Sequence, residues 1–262
     1  MGIINTTPDS FYDGGNTTSK KTILLQAEKM MNEGATFLDI GGYSSRPGAN
    51  EVSEKEEINR VLPAIEAILK AFPNALISID TFRSEVAFEA IKMGAAIIND
   101  ISGGNLDGNM FATVAKLKVP YIMMHMRGEP KTMNSLTNYD NITKELLFYF
   151  SEKIALATKM GINDIIIDPG FGFAKDAALN FELLDNLELF KTLKTPFLVG
   201  LSRKSTIYKT LNISTEEALN GTTVLHTVAL LKGASIIRVH DVKEAMECIT
   251  LLENLKNRPE KN

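Results

Sequence analysis

Short β-branched runs alternate with longer stretches of helical period from one end of the chain to the other. This alternation narrows the possible folds more than any other feature. The runs lie at residues 2–5, 36–41, 76–80, 96–100, 121–125, 164–168, 197–201 and 235–240. Between them, Ile23, Leu24, Ala27, Met30 and Met31 share one helical face. Ile58, Val61, Leu62, Ile65 and Ile68 share another, as do Leu146, Leu147, Phe150, Ile154 and Ala157. Several stretches end on glycine before the next run, at Gly34, Gly94, Gly161 and Gly233. That is helix C-cap chemistry feeding a loop into a strand. Eight alternations within 262 residues match the TIM (β/α)8 barrel in length and order. A doubly wound open sheet also alternates, but a glycine-rich turn usually opens its first helix, and Asn5-Thr6-Thr7-Pro8-Asp9 is not that turn. No Pro/Ser-rich linker or low-complexity tract divides the chain, so residues 1–262 are expected to form one domain. Met1 leaves the first strand almost no length upstream, so that strand is expected to be frayed.

Composition excludes several classes of function. A net charge of −4 gives a nucleic-acid partner no electrostatic support. The single cysteine, Cys248, excludes an internal disulfide and fits a reducing compartment. No apolar run approaches the roughly 20 residues that span a bilayer, and no secretory succession opens the chain. A soluble cytoplasmic domain without a membrane partner is the expectation.

In a barrel of this kind the active site lies at the C-terminal ends of the strands. Those ends carry Asn5, Asp39, Asp80, Asn99 with Asp100, His125, Asp168, Ser202-Arg203-Lys204, and Arg238 with His240. Turn and N-cap chemistry explains Asp39 and Asp100, and it can explain Asn5. It does not explain long basic residues directly after apolar strands, which are poor turn formers and costly to bury unpaired. Several cations on one rim point to an anionic ligand, while Asp80 and Asp168 need another partner or another part of the same ligand. Arg238 and His240 are two apart, so they face the same side of their strand. His125 reads equally as a site residue or a satisfied core group, and His226, mid-helix, as packing or surface. Gly41-Gly42-Tyr43-Ser44-Ser45-Arg46-Pro47-Gly48, Asp13-Gly14-Gly15 and Asp168-Pro169-Gly170-Phe171-Gly172-Phe173 supply pliable loops that can close on a flat, anionic ligand. No cluster has zinc spacing, and no supported nucleophile is present.

Residues 2–11, Gly-Ile-Ile-Asn-Thr-Thr-Pro-Asp-Ser-Phe, resemble the opening signature of the dihydropteroate synthases, a pterin-binding family. Residues 39–49, Ser78-Ile79-Asp80-Thr81, Ile98-Asn99-Asp100, Met124-His125-Met126, residues 168–175, Ser202-Arg203-Lys204-Ser205 and Arg238-Val239-His240-Asp241 follow in the family's order. The resemblance implies that diphosphate is displaced from 6-hydroxymethyl-7,8-dihydropterin diphosphate by p-aminobenzoate, by a dissociative route. It places Asp80, Asn99, Met124, Asp168, Lys204 and Arg238 on the pterin, with Lys204, Arg238, Asp80 and Asp168 carrying the catalysis. Asn5, Arg46, Arg238 and His240 would take the diphosphate, with Mg2+ held lightly through Asn5. Phe11, Ser45, Arg46, Pro47, Phe173, Lys204 and Ser205 would enclose p-aminobenzoate. A homodimer is carried over in the same way. Tyr43 and Ser45 stand where Glu and Thr are commoner in the family, and Ala174 stands for a usual Gly, a mild change. The rivals are a pterin-dependent methyltransferase barrel, which would not need the Ser202–Ser205 run, the Arg46 loop and the Arg238/His240 pair together, and a non-catalytic pterin- or phosphate-binding barrel.

Overall fold

Alternation of side chains along each strand decides which residues face the helices and which face the interior. The computed structural model describes residues 1–6, 17–44 and 51–256. Among the described residues eight strands run in order: β1 (Gly2–Asn5), β2 (Phe37–Gly41), β3 (Leu76–Asp80), β4 (Ile97–Asp100), β5 (Tyr121–Met124), β6 (Ile165–Asp168), β7 (Leu198–Val199) and β8 (Ile236–Ile237). The helices are α1 (Thr17–Asn32), α2 (Glu54–Ala71), α3 (Ser84–Met93), α4 (Met110–Leu117), α5 (Ile142–Lys159), α6 (Ala177–Asp185), α7 (Ser205–Leu211), α8 (Leu219–Leu231) and α9 (Val242–Lys256). Strands β1 to β6 form one continuous parallel sheet, and β7 pairs with β8. Two parallel bridges join these pieces, Ile167 to Phe197 and Gly2 to Val239. The ring is therefore closed as a (β/α)8 barrel, which leaves no sheet edge exposed to pairing.

The first strand is not frayed. It pairs with β2 over all four of its residues. On its other side the Met1 amine donates to the Ile237 carbonyl at 3.0 Å, and Val239 N–H donates to the Met1 carbonyl at 2.9 Å. Bonds on both sides hold it in the ring. The last two strands depart from expectation in the opposite sense, because regular pairing covers two residues in each rather than 197–201 and 235–240. After Val199 the chain turns at once to present Ser202 and Lys204, with Arg203 at φ 53°.

The helices dock through the faces read from their period. Ile23, Ala27 and Met30 of α1 are buried, as are Val61, Ile65 and Ile68 of α2 and Leu146, Phe150 and Ala157 of α5. They pack on Ile4, Leu38, Ile40, Ile77, Ile79, Ile98, Tyr121, Met123, Ile167, Val199, Ile237 and Val239, the outward-facing residues of the strands. The alternate positions face inward. At the N-terminal ends of the strands these are apolar, with Ile97, Ile122 and Leu198 packed beside Met1. At the C-terminal ends the same parity brings Asn5, Asp80, Asn99, Met124, Asp168 and Arg238 to the barrel axis, joined by Asp39 from the middle of β2. The four glycines expected to end helices all adopt left-handed backbone. At Gly94, φ 117°, the amide caps α3 through the Ala90 and Ile91 carbonyls.

Ile79 is fully buried between the sheet and its helices. Ile79→Ala should cost about 2–5 kcal/mol, read as a lowered urea midpoint with an unchanged slope.

Candidate active site

Asp39 sits in the middle of β2 with both neighbours, Leu38 and Ile40, facing the helices, so its carboxylate is forced into the barrel. It is completely buried. Its Oδ2 accepts from Arg238 Nε at 2.5 Å and from Asn99 Nδ2 at 3.0 Å. Its Oδ1 has no partner among the described residues. Arg238 also donates Nη2 to Asp80 Oδ2 at 2.6 Å. One guanidinium thus ties β8 to β2 and β3, and the planar fork of arginine suits two carboxylates at once. Burial pushes the Asp80 carboxyl up to about 7, against the pull of Arg238, and the charge of Asp39 adds to the rise. Reading Asp39 as a turn residue was therefore wrong. The signal available was an acid between two apolar residues inside a strand, which no turn requires.

A second group of contacts surrounds Lys204. Its Nζ donates to the Phe171 carbonyl and lies 4.8 Å from the centre of the Phe173 ring. Burial pulls its ammonium down to about 8, opposed by the charge of Asp168. Asp168 is buried at the end of β6, accepts from Gly170 N–H at 2.8 Å, and has its carboxyl raised by desolvation. Gly170 is at φ 72°, and a Cβ there would stand 2.1 Å from the His125 carbonyl oxygen, so only glycine fits.

A cavity of about 430 Å3 opens over these groups and is lined by Asn5, Asp80, Phe173, Lys204, Ser205, Arg238 and His240 among others. Asn99, Met124 and Asp168 are buried beside it rather than on its lining. Phe11, Ser45, Arg46 and Pro47 lie outside the described residues. The lining also includes Tyr43 and Ser202, which the sequence did not single out as binding residues. Tyr43 stands edge-on to Phe82 at 5.2 Å, with the Arg83 guanidinium 5.6 Å from its ring. Ser202 Oγ meets His240 Nδ1 at 3.0 Å and accepts from the His240 amide at 3.2 Å, so it orients that imidazole.

A family profile described as pterin binding enzyme matches residues 1–240. The chain belongs to this pterin-binding enzyme family. The dihydropteroate synthase of Escherichia coli (strain K12) is 46% identical over 255 residues, spanning 97% of this chain and 90% of that protein. A solved dihydropteroate synthase of Xanthomonas albilineans with 4-aminobenzoic acid superposes with a TM-score of 0.91 at 37% identity, covering 99% of this chain and 93% of that one. The same organism's enzyme in complex with 7,8-dihydropteroate gives 0.88 at 35% identity, covering 99% and 94%.

Two strand-end groups of this pterin-binding enzyme are structural. Asp100 accepts from Tyr121 Oη, the Ser102 and Gly104 amides and the Ser102 hydroxyl, at 2.6–2.8 Å, and so anchors the turn after β4. Arg203 also lines the cavity, but its guanidinium is already committed. It forms a two-point pair with Asp241 at 2.7 and 2.9 Å and donates to the Thr215 and Glu216 carbonyls. His125 is the satisfied core alternative, buried against Tyr149 with its Nδ1 3.1 Å from Lys175 Nζ. His226 is a packing residue of α8, 2% exposed. Its Nε2 has no partner among the described residues.

Burial holds the His226 imidazole down at about 4, against an ordinary 6.5. The unfolded chain therefore takes up this proton first, so the stability is present above pH 6.5 and is lost as pH falls towards 4. His226→Leu should recover up to about 3 kcal/mol at the acid end relative to neutral pH, seen as a shallower fall of the urea midpoint on acidification.

Proposed function

We propose that the chain is a transferase that displaces diphosphate from 6-hydroxymethyl-7,8-dihydropterin diphosphate with the amine of p-aminobenzoate, giving 7,8-dihydropteroate. The observation that carries this reading is a single cavity lined by an acid, Asp80, and by the cations Lys204 and Arg238, beside buried Asp39, Asn99 and Asp168. A pterin has a guanidine-like donor edge that pairs with Asp80, Asn99 and Asp168, and a carbonyl face that takes Lys204. Met124 packs along the ring. The Arg238 guanidinium lies flat over it, held by Asp39 and Asp80.

The diphosphate meets Asn5, Arg46, Arg238 and His240, the last oriented by Ser202. Among the described residues no three His, Cys, Asp or Glu side chains stand together to hold a metal. Asn5, on the cavity lining, fits an ion that takes most of its ligands from phosphate and water. Magnesium held there would offset part of the charge of the departing diphosphate. The C–O bond to diphosphate breaks, Arg238 and His240 stabilise the leaving anion, and Asp80 and Asp168 stand near the cationic ring left behind. The amine nitrogen then forms the new C–N bond and gives up its proton to solvent. Phe11, Ser45, Arg46, Pro47, Phe173, Lys204 and Ser205 enclose p-aminobenzoate, and a sulfonamide sharing its aniline would compete there. A cytoplasmic homodimer belongs to the same reading. Exposed Val224 and Leu231 on α8 and Leu251 and Leu255 on α9 offer a second copy an apolar face.

The protein mixed with the pterin diphosphate, p-aminobenzoate and magnesium should release diphosphate only when the aromatic amine is present. Release independent of the amine, or binding of both ligands without turnover, would overturn the proposal. Arg238→Lys should lower turnover at least 100-fold, about 3 kcal/mol, at a temperature where the variant is still folded, and should also lower the melting temperature because lysine cannot reach Asp39 and Asp80 together. A large thermal loss with normal turnover would remove Arg238 from the mechanism.

A further inference from the structure

Lys175 lies on the loop between β6 and α6, is 6% exposed and does not line the cavity. A lysine ammonium has three protons to donate, and here all three directions are filled. Its Nζ donates to the Gly170 carbonyl at 3.0 Å and the Phe173 carbonyl at 2.9 Å, and lies 3.1 Å from His125 Nδ1. Burial pulls the Lys175 ammonium down to about 7, opposed by the charge of Asp168, and while it holds its proton His125 Nδ1 is the unprotonated acceptor. Burial, followed by the charges of Lys175 and Arg127, pulls that imidazole well below its ordinary value and keeps it neutral.

The two carbonyls bracket the stretch that handles Lys204. Phe171 supplies the carbonyl that Lys204 grips, and Phe173 supplies the ring beside its ammonium. Gly170, at the start of the same stretch, donates to Asp168. The stretch is held against its own preference, since Ala174 adopts φ 50°, a left-handed conformation that costs a non-glycine residue energy. From the other side Asn180 accepts from the Gly172 amide at 2.8 Å and donates to the Lys175 carbonyl at 3.2 Å.

From this we infer that Lys175, seated on His125, is a positioning residue: it clips the 170–175 loop to the end of β5 and thereby holds Lys204 and Asp168 where a pterin meets them. Lys175 does not touch the ligand and acts through Lys204. The pterin part of this inference rests on the function proposed above, whereas the clip itself does not.

The test uses Lys175→Met, Lys204→Gln and the double variant in the full chain, with two readouts. The first is the rate at which Lys204 is acylated by an amine-selective reagent, followed by peptide mass. Releasing the clip should loosen the Phe171 grip and raise that rate at least threefold in Lys175→Met. The second is the affinity for 6-hydroxymethylpterin. It should fall at least tenfold in Lys175→Met, but less than threefold when Lys175→Met is added to Lys204→Gln, because the route through Lys204 is already gone. An unchanged acylation rate in folded Lys175→Met, or an equal loss of affinity in both backgrounds, overturns the inference. If no form binds the pterin, the proposed function falls, and the acylation rate still decides the clip. Should Lys175→Met fail to fold, His125→Phe fills the aromatic cluster without the acceptor nitrogen and should shift both readouts in the same direction.

Discussion

The pairing of Arg238 with Asp39 organises the interior of this barrel. Taking either charge out of water alone would cost several kcal/mol. The two are tolerable only because the fork of Arg238 reaches Asp39 and Asp80 together while Asn99 supplies a further donor to Asp39. The residues involved come from β2, β3 and β4 and from the position just after β8, which meet across the barrel axis although β1 separates β8 from β2 in the ring. Their convergence requires closure, and closure at β8 rests on the first strand being bonded on both sides. The guanidinium that stitches the strands also faces the cavity, so scaffold and chemistry share one group.

Much of this was legible in the sequence, for a definite reason. Strand period and helix period differ, so Leu38, Ile40, Ile77 and Ile79 announce a helix-facing surface, and the alternate positions then follow. Asp80, Asn99, Asp168 and Arg238 were read from the sequence only as polar groups at strand ends, and it is this alternation in the structure that turns them inward. What the sequence did not carry was partnership. Asp39 looked like turn chemistry because nothing nearby in the chain announces Arg238, 199 residues away. Arg203 looked like a rim cation because its partner Asp241 lies after the next strand. Lys175 carried no signal of burial beyond its place in a glycine-rich loop, since a lysine in a loop is ordinarily solvated.

The two halves of the site differ in how they are held. Asp39, Asp80 and Asn99 stand on β2 to β4, where the strands pair over their whole length and side-chain direction is fixed by the pleat. Phe171 and Phe173 stand on a loop bonded by Lys175 and Asn180, and Lys204 reaches that loop through the Phe171 carbonyl. The donor edge of a ring would meet rigid sheet, while its opposite face would meet groups set by side-chain clips.

The shortness of β7 and β8 has a consequence for how such an enzyme can change over time. Their regular pairing ends at Val199 and Ile237, just before the segments that bear Ser202, Lys204, Arg238 and His240. Arg238 still belongs to the wall, its amide bonded to Val199 and its guanidinium to Asp39 and Asp80, but Ser202, Lys204 and His240 are largely decoupled from the hydrogen bonds that hold the cylinder together. Substitutions there can retune what is bound while the scaffold stays intact. The same freedom is denied to β2 and β3, where Asp39 and Asp80 facing the interior are also rivets of the wall.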